Sequence, residues 1–230
     1  MTRGSSLAEL LPDGMFLGTS LILRRGGGCP KGVASLLYGV RAPRPEGSHQ
    51  VLEVTGVGGA LEDSDPSPAA GVLREALEET GCKVRLLQCC ETLVVRSEND
   101  MAPVRLSGVE RPAAVVFRHH GTRPRKPWSD EHLGRLCAVV FAGEVCTEPR
   151  PAMELPALIW LTPEQVVNLV HRDIMLQDIL DGGARLLERR RRLLPRSGWL
   201  RLVDSQEALV LALAGDALSF YSGLFGGSKT

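Results

Sequence analysis

An excess of charge of either sign is absent from this chain. Its 230 residues include 27 Lys and Arg side chains and 27 Asp and Glu side chains, so the formal net charge is zero. General binding to nucleic acid or to an anionic membrane surface depends on an excess of positive charge. The composition therefore indicates neither kind of partner.

Long apolar runs and paired cysteines are also absent. No stretch approaches the roughly 20 apolar residues that span a bilayer, and Met1 to Glu9 lack the basic-then-apolar order of a signal peptide. The six cysteines show no Cys-x-x-Cys spacing, and the neighbours Cys89 and Cys90 cannot both point inward from a strand. Reduced thiols in a cytoplasmic protein are the simplest interpretation.

Three glutamates, Glu75, Glu78 and Glu79, have the i, i+3 and i+4 spacing that places side chains on one face of a helix. Like charges at these spacings repel by a few tenths of a kcal/mol per pair, roughly, so stability alone does not favour them. Such a face suits a hard cation such as Mg²⁺, which prefers oxygen ligands and usually also binds substrate phosphates. A solvated acidic face is the alternative. We expect the opposite face, at the same spacing, to pack on the core: Ala70, Leu73 and Leu77.

The residues before this helix form a recognisable unit. A strand-like run, Val51 to Thr55, leads into Gly58-Gly59 and then into a polar, acidic loop. Ser67 is a predicted N-cap, Pro68 occupies the first helical position, and Gly81 is the predicted C-terminal stop. The pattern predicts a strand, a glycine turn, an acidic loop and a capped acidic helix.

This unit resembles the Nudix box, in which a glycine, five residues, a glutamate and seven residues precede Arg-Glu-aliphatic-x-Glu-Glu-x-Gly-aliphatic. The matching residues are Gly59, Arg74, Glu75, Glu78, Glu79 and Gly81. The chain departs from the pattern at Asp65, which stands where the family has glutamate, and eight residues rather than seven separate it from Arg74. We expect the extra loop residue to bulge outward, because the capping of the helix is unaffected by it.

The resemblance implies an α/β fold, a Nudix-type α/β/α sandwich with a central mixed sheet. It covers about Phe16 to Val170, so we expect a Nudix domain over residues 1–170. Residues 171–230 are predicted to be a helical C-terminal extension that packs on the domain or on the partner of a homodimer. Within this extension we predict helix from about Ile174 to Leu194 and a packing helix within Leu200 to Phe225. The Arg-rich run from Glu188 to Arg192 is interpreted as a solvated helix face or, alternatively, as a patch for an anionic partner.

The resemblance also implies an activity, the hydrolysis of a phosphoanhydride bond in a nucleoside diphosphate derivative, a small-molecule nucleotide. Mg²⁺, or Mn²⁺ in its place, would be held by Glu75, Glu78 and Glu79 and by the backbone carbonyl of Gly59. By analogy Glu75 is both ligand and general base. Arg74 is expected to orient the acids through contacts such as Asp65.

Candidates outside the motif are less defined. A further acidic ligand is expected from a later loop, with Glu131 as first choice and four competitors: Glu98, Asp100, Glu110 and Glu154. Four residues are candidates for binding phosphate or stacking on a base, with an ordinary charged loop as the alternative: Arg118, Arg125, Lys126 and Trp128.

Substrate subfamily is left open by the sequence. The additional signatures of the coenzyme A and NADH subfamilies do not occur beside the motif, and Arg96 to Asp100 lack the proline associated with ADP-ribose hydrolases. Two alternatives to hydrolysis remain: a non-catalytic Nudix module that binds and senses a nucleotide, and an isomerase on this fold that acts on a prenyl diphosphate. Loss of box carboxylates is usual in sensing modules, and this chain retains all three glutamates.

Overall fold

The structure, a computed structural model, describes residues 6–11, 16–25, 35–97, 99–118, 136–152, 154–190 and 193–225. One large mixed β-sheet forms its centre, with helices on both faces. The strands are β1 (Phe16–Arg25), β2 (Leu36–Val40), β3 (Arg44–Glu46), β4 (His49–Thr55), β5 (Val84–Leu87), β6 (Thr92–Ser97), β7 (Asp100–Val104), β8 (Ala114–Arg118), β9 (Leu136–Val145), β10 (Ala157–Leu161), β11 (Ile174–Met175), β12 (Arg185–Glu188) and β13 (Trp199–Leu202). The helices are α1 (Leu7–Leu10), α2 (Pro68–Thr80), α3 (Pro163–His171), α4 (Leu176–Asp181), α5 (Asp204–Leu213) and α6 (Ala217–Phe225).

The main path through the sheet runs β11-β13-β4-β2-β1-β9-β8-β6-β7. The pairs β1/β9, β4/β13 and β6/β8 are parallel and the other pairs are antiparallel. Strand β2 is shared between two neighbours, because its first residues pair with β1 and its last residues pair with β4. Strand β2 therefore lies between β1 and β4. The segment after β4 pairs with the first half of β1.

Alternation along the strands sends side chains to two cores. Leu21 and Leu23 of β1 pack with Val72 and Ala76 of α2, whereas Ile22 between them packs on the opposite face with helices α3 to α6. Successive side chains of a strand point to opposite faces of the sheet. A strand buried on both faces therefore needs apolar residues at consecutive positions. The predicted α/β/α sandwich with a mixed sheet is confirmed.

Helix α2 begins and ends where the sequence predicts. The Ser67 hydroxyl accepts a hydrogen bond from the Ala70 amide at 3.3 Å, and Pro68 occupies the first turn. Gly81 adopts a left-handed conformation, φ 60°, and its amide donates to the Leu77 carbonyl at 2.9 Å. These local caps require no tertiary partner, which is why the sequence alone predicts them.

The predicted buried face of α2 is wrong. Leu73 and Leu77 are 38% and 56% exposed, whereas Val72 and Ala76 are fully buried against β1. Both pairs have the same i, i+4 spacing, so periodicity does not distinguish them. The smaller Val72 and Ala76 let the helix approach the sheet closely, and this close approach decides the orientation.

The prediction of a helical region from about Ile174 to Leu194 holds only for one short helix. That region contains β11, the short helix α4 and β12, and Glu188 is the last residue of a strand rather than part of a helix face. The tail is not purely helical either, since β13 lies beside β4 in the sheet. Strand β13 extends the sheet beyond β4, and this pairing of distant segments is not visible in the local sequence.

Within the described residues, no single helix is long and apolar enough to cross a membrane. Helices α5 and α6 meet such a criterion only as a pair, and they are bent by 110° at Ala214–Asp216. Both contribute buried side chains to the core, among them Leu209 and Tyr221.

Candidate active site at the glycine turn

The candidate site lies where β4 ends and the chain turns toward α2. Backbone hydrogen bonds attach this turn to β1: Thr19 donates to the Gly59 carbonyl at 2.7 Å and Leu21 donates to the Val57 carbonyl at 2.8 Å. Helix α2 packs on the same strand. The glycine turn and the acidic helix are therefore held together by β1.

Two glycines bring the carboxylates of α2 against this turn. Gly58 has φ 148°, and a Cβ there would lie 2.2 Å from the Thr19 carbonyl oxygen, so only glycine is accommodated. Its amide donates a hydrogen bond of 2.9 Å to Glu79 Oε2. At Gly59 a Cβ would lie 2.5 Å from Glu75 Oε1. Glu75 and Glu79, one helical turn apart, therefore both face the turn.

Arg74 organises the remaining acids. Its guanidinium donates two hydrogen bonds to Asp65, at 3.1 and 3.0 Å, and others to Glu75 at 3.0 Å and to Glu78 at 3.2 Å. The Asp65 side chain is only 6% exposed. The contact expected between Arg74 and Asp65 is present, although the acid is one methylene shorter than the family's glutamate.

The longer loop does not disturb this contact. Asp63 and Ser64 form an exposed turn, closed by a 3.0 Å hydrogen bond from the Asp65 amide to the Glu62 carbonyl. The extra residue falls between Asp65 and Arg74, where Pro66 is exposed and Ser67 caps α2, and its outward bulge stays a prediction. Gly71 leaves space for the loop, because a Cβ at that position would lie 2.7 Å from Leu61 Cδ1 and 3.0 Å from Asp65 Oδ2.

The electrostatics separate the acids into two kinds. Hydrogen bonds from Arg74 lower the pKa of Asp65. Burial raises the pKa of Glu75 despite its contact with Arg74. Burial raises the pKa of Glu79 to about 7, the hydrogen bond from Gly58 opposes the shift, and the charge of Glu75 adds to it. The protein thus compensates a negative charge on Glu75 or Glu79 only incompletely, and burial favours their protonated forms.

This donor set fits a divalent cation in part. Mg²⁺ is commonly held by one or two carboxylates together with water and substrate phosphates, and Glu75 and Glu79 offer two such groups. Glu78 is bonded to Arg74 and more exposed. Among the described residues no group of three or more His, Cys, Asp or Glu side chains is arranged to hold a metal ion. The Gly59 carbonyl already accepts the bond from Thr19.

Only some of the candidate residues outside the motif lie within the described part of the chain. Glu131, Lys126, Arg125, Trp128 and Glu98 lie outside the described residues. Arg118 is the last residue of β8, and its side chain also lies outside the description. Asp100 forms an exposed ion pair with Arg96, at 3.6 Å.

Glu154 is the competing acid that the structure brings toward the site. Its charge contributes to the raised pKa of Glu79, and the loop before it donates from the Ala152 amide to the Glu79 carbonyl at 2.9 Å. Arg41, which the sequence analysis did not identify, lies near enough to lower the pKa of Glu79. It directly follows β2, and no local motif marks it.

No model of a protein family matches the sequence, and a comparison with curated proteins finds none similar to it. Solved structures do match. A NUDIX hydrolase from Nitrosomonas europaea is 14% identical over 66% of this chain and 75% of its own, with a TM-score of 0.39. A possible asymmetric diadenosine tetraphosphate hydrolase from Jonesia denitrificans is 14% identical over 68% of this chain and 82% of its own, with a TM-score of 0.42. A MutT NUDIX hydrolase from Burkholderia pseudomallei is 17% identical over 65% of this chain and 84% of its own, with a TM-score of 0.36. Two of these three solved structures are named as NUDIX hydrolases, and the third as a possible hydrolase of a dinucleoside tetraphosphate.

Proposed function

We propose that the chain hydrolyses a phosphoanhydride bond in a nucleoside diphosphate derivative, with Mg²⁺ as cofactor. The observation that carries the proposal is the pair Glu75 and Glu79, held side by side against the glycine turn. Two partly buried carboxylates whose charge is incompletely compensated reduce the stability of a fold. A cation bound between the carboxylates and the phosphates of a substrate would compensate that charge. The nucleotide class of the substrate follows from the resemblance to the Nudix box.

The chemistry divides between the cofactor and the protein. When bound, Mg²⁺ would neutralise phosphate oxygens and lower the pKa of a bound water. Glu75 and Glu79 would hold the ion, and Glu75 remains our choice of general base. Arg74 orients Glu75 through a hydrogen bond of 3.0 Å while Asp65 holds the guanidinium from the other side. The Gly58 amide keeps Glu79 in place.

A panel of nucleoside triphosphates, sugar nucleotides and dinucleotides tests the proposal by phosphate or nucleotide release with Mg²⁺. We expect the wild-type protein to cleave at least one class and Glu79→Gln to lower kcat by about 100-fold or more, because the amide cannot replace a charged ligand. Glu91→Gln, an exposed acid paired with Arg105, serves as the matched control and should behave as wild type. Equal turnover by Glu79→Gln and wild type would exclude hydrolysis at this site.

A nucleotide-sensing module is the second candidate, and one observation favours it. Arg74 is bonded to both Glu75 and Glu78, so the described acids are partly neutralised without an ion. A sensing module would bind a nucleotide with unchanged affinity in EDTA and release no product. Calorimetry with the same nucleotides, with and without Mg²⁺, separates the two candidates.

A further inference from the structure

A buried polar pair connects the C-terminal segment to the back of the glycine turn. Gln206, in the first turn of α5, is fully buried, and its Nε2 donates a hydrogen bond of 3.0 Å to Ser20 Oγ on β1. Ser20 is 5% exposed. Val203, the residue before α5, donates from its amide to the Val54 carbonyl at 3.0 Å. The segment therefore reaches both strands between which the turn begins.

Gly56, the first residue after β4, packs directly on Ser20 and Gln206. A Cβ at Gly56 would lie 2.2 Å from Ser20 Oγ and 2.8 Å from Gln206 Nε2. The side chains of Ser20 and Gln206 thus contact the Gly56 backbone with no free space between them. A shift of these two side chains would displace Gly56.

Gly58, two residues after Gly56, is bonded to the acidic helix, so a displacement of Gly56 would also affect that contact. The Val57 carbonyl is bonded to β1, and the Gly58 amide donates to Glu79. A short extended segment with both ends bonded has little freedom to absorb a shift. The position of the Gly58 amide relative to Glu79 therefore depends on the Ser20 and Gln206 side chains that pack against Gly56.

Stability alone does not explain a glutamine in this position. Its Oε1 is buried and has no hydrogen-bond partner within the described part of the chain. A buried polar atom without a partner destabilises a fold, whereas an apolar side chain of the same shape avoids that cost. The amide is better explained by the hydrogen bond that its other end makes to Ser20.

We propose that Gln206 is a positioning residue for the candidate active site, acting through Ser20 and Gly56 on the Gly58–Glu79 hydrogen bond. The catalytic part of this inference rests on the proposed function. The structural part does not, because it concerns the conformation of the turn. The C-terminal segment is, on this inference, a component of the site rather than an appendage.

Gln206→Met tests the inference, since methionine keeps the length of the side chain and removes the hydrogen bond. We expect faster amide hydrogen exchange in the peptide covering residues 55–61, with the melting temperature unchanged or raised. On a substrate found in the panel above, kcat should fall about tenfold while KM stays within about twofold, because an interaction that matters in the transition state has been weakened. Ser205→Ala, a change at a buried neighbour on α5, should alter neither quantity.

Ser20→Ala removes the other partner and guards against misfolding of the first variant. Ser20→Ala and the double variant should show the same exchange and the same kcat as Gln206→Met, because the two changes break one interaction. Wild-type exchange of residues 55–61 in folded Gln206→Met would overturn the inference, as would additive effects in the double variant. Faster exchange with no hydrolysis of any nucleotide by either protein would support the positioning role and refute the proposed function instead.

Discussion

At the scale of single residues, Glu79 is a carboxylate whose pKa depends on burial and on a backbone contact. Its pKa is raised to about 7, mainly by burial, even though the Gly58 amide bonds to its charged form. The ordinary pKa of a glutamate is about 4.3. In the metal-free protein a large fraction of Glu79 is therefore protonated near neutral pH.

This shift makes stability depend on pH in a defined direction. Between about pH 4.3 and pH 7 the folded protein binds more protons at Glu79 than the unfolded chain does, so stability falls as pH rises through this range. We expect the free energy of unfolding of wild type in EDTA to fall by about 1–3 kcal/mol more than that of Glu79→Gln between pH 5 and pH 8. Urea denaturation at both pH values measures the difference.

Glu78→Gln is the matched control, because Glu78 is exposed on the same helix and bonded to Arg74. Added Mg²⁺ should raise the melting temperature of wild type at pH 8 and leave that of Glu79→Gln unchanged, since a ligand stabilises the state that binds it. A parallel pH dependence of wild type and Glu79→Gln would show that Glu79 does not carry the raised pKa.

At the scale of elements, the loop and α2 act as one unit through Arg74. The guanidinium is shared among Asp65, Glu75 and Glu78. Asp65 takes two of its hydrogen bonds and so limits how strongly Arg74 engages the other acids. Loss of that contact would leave Arg74 free to neutralise Glu75.

We therefore expect Asp65→Asn to raise the Mg²⁺ concentration for half-maximal activity by about fivefold to tenfold, because Arg74 then competes with the ion for Glu75. The free energy of unfolding should also fall, because the charged hydrogen bonds to Arg74 are lost. Activity titrations with Mg²⁺ and urea denaturation measure the two effects. Glu62→Gln, an exposed acid 3.5 Å from Arg74, should change neither by much. An unaltered Mg²⁺ requirement in Asp65→Asn would contradict this role.

At the scale of the whole molecule, the described residues after 170 belong to the same sheet and core as those before it. Strand β13 lies beside β4, and α5 and α6 cover one face of the sheet. Arg24 of β1 donates to the Phe225 carbonyl at 2.6 Å and lies over its ring. A division into a domain of residues 1–170 and an extension of residues 171–230 does not correspond to a boundary in the core.

Leu209→Ala tests this integration. Leu209 is fully buried on α5, so we expect the free energy of unfolding to fall by about 2–5 kcal/mol in a single transition. Leu218→Ala on α6, where the side chain is 41% exposed, should cost less than about 1 kcal/mol. Fluorescence and circular dichroism during denaturation should give coincident curves. Separate transitions would show that the C-terminal segment unfolds by itself.

The amino-acid sequence by itself determined the parts of this protein that depend on neighbours along the chain. The caps of α2 at Ser67 and Gly81 and the spacing of Glu75, Glu78 and Glu79 are local properties, and the structure has them as predicted. The contact between Arg74 and Asp65 was also predictable, because helix and loop adjoin in sequence.

Only the tertiary structure decided which face of α2 is buried and what surrounds its acids. Leu73 and Leu77 match the helical period as well as Val72 and Ala76 do, and close packing on β1 selects the smaller pair. Gln206 and Ser20 are separated by 186 positions and have no shared motif. They meet because β13 pairs with β4 and brings the start of α5 beside β1, and contacts between distant segments depend on such packing rather than on local pattern.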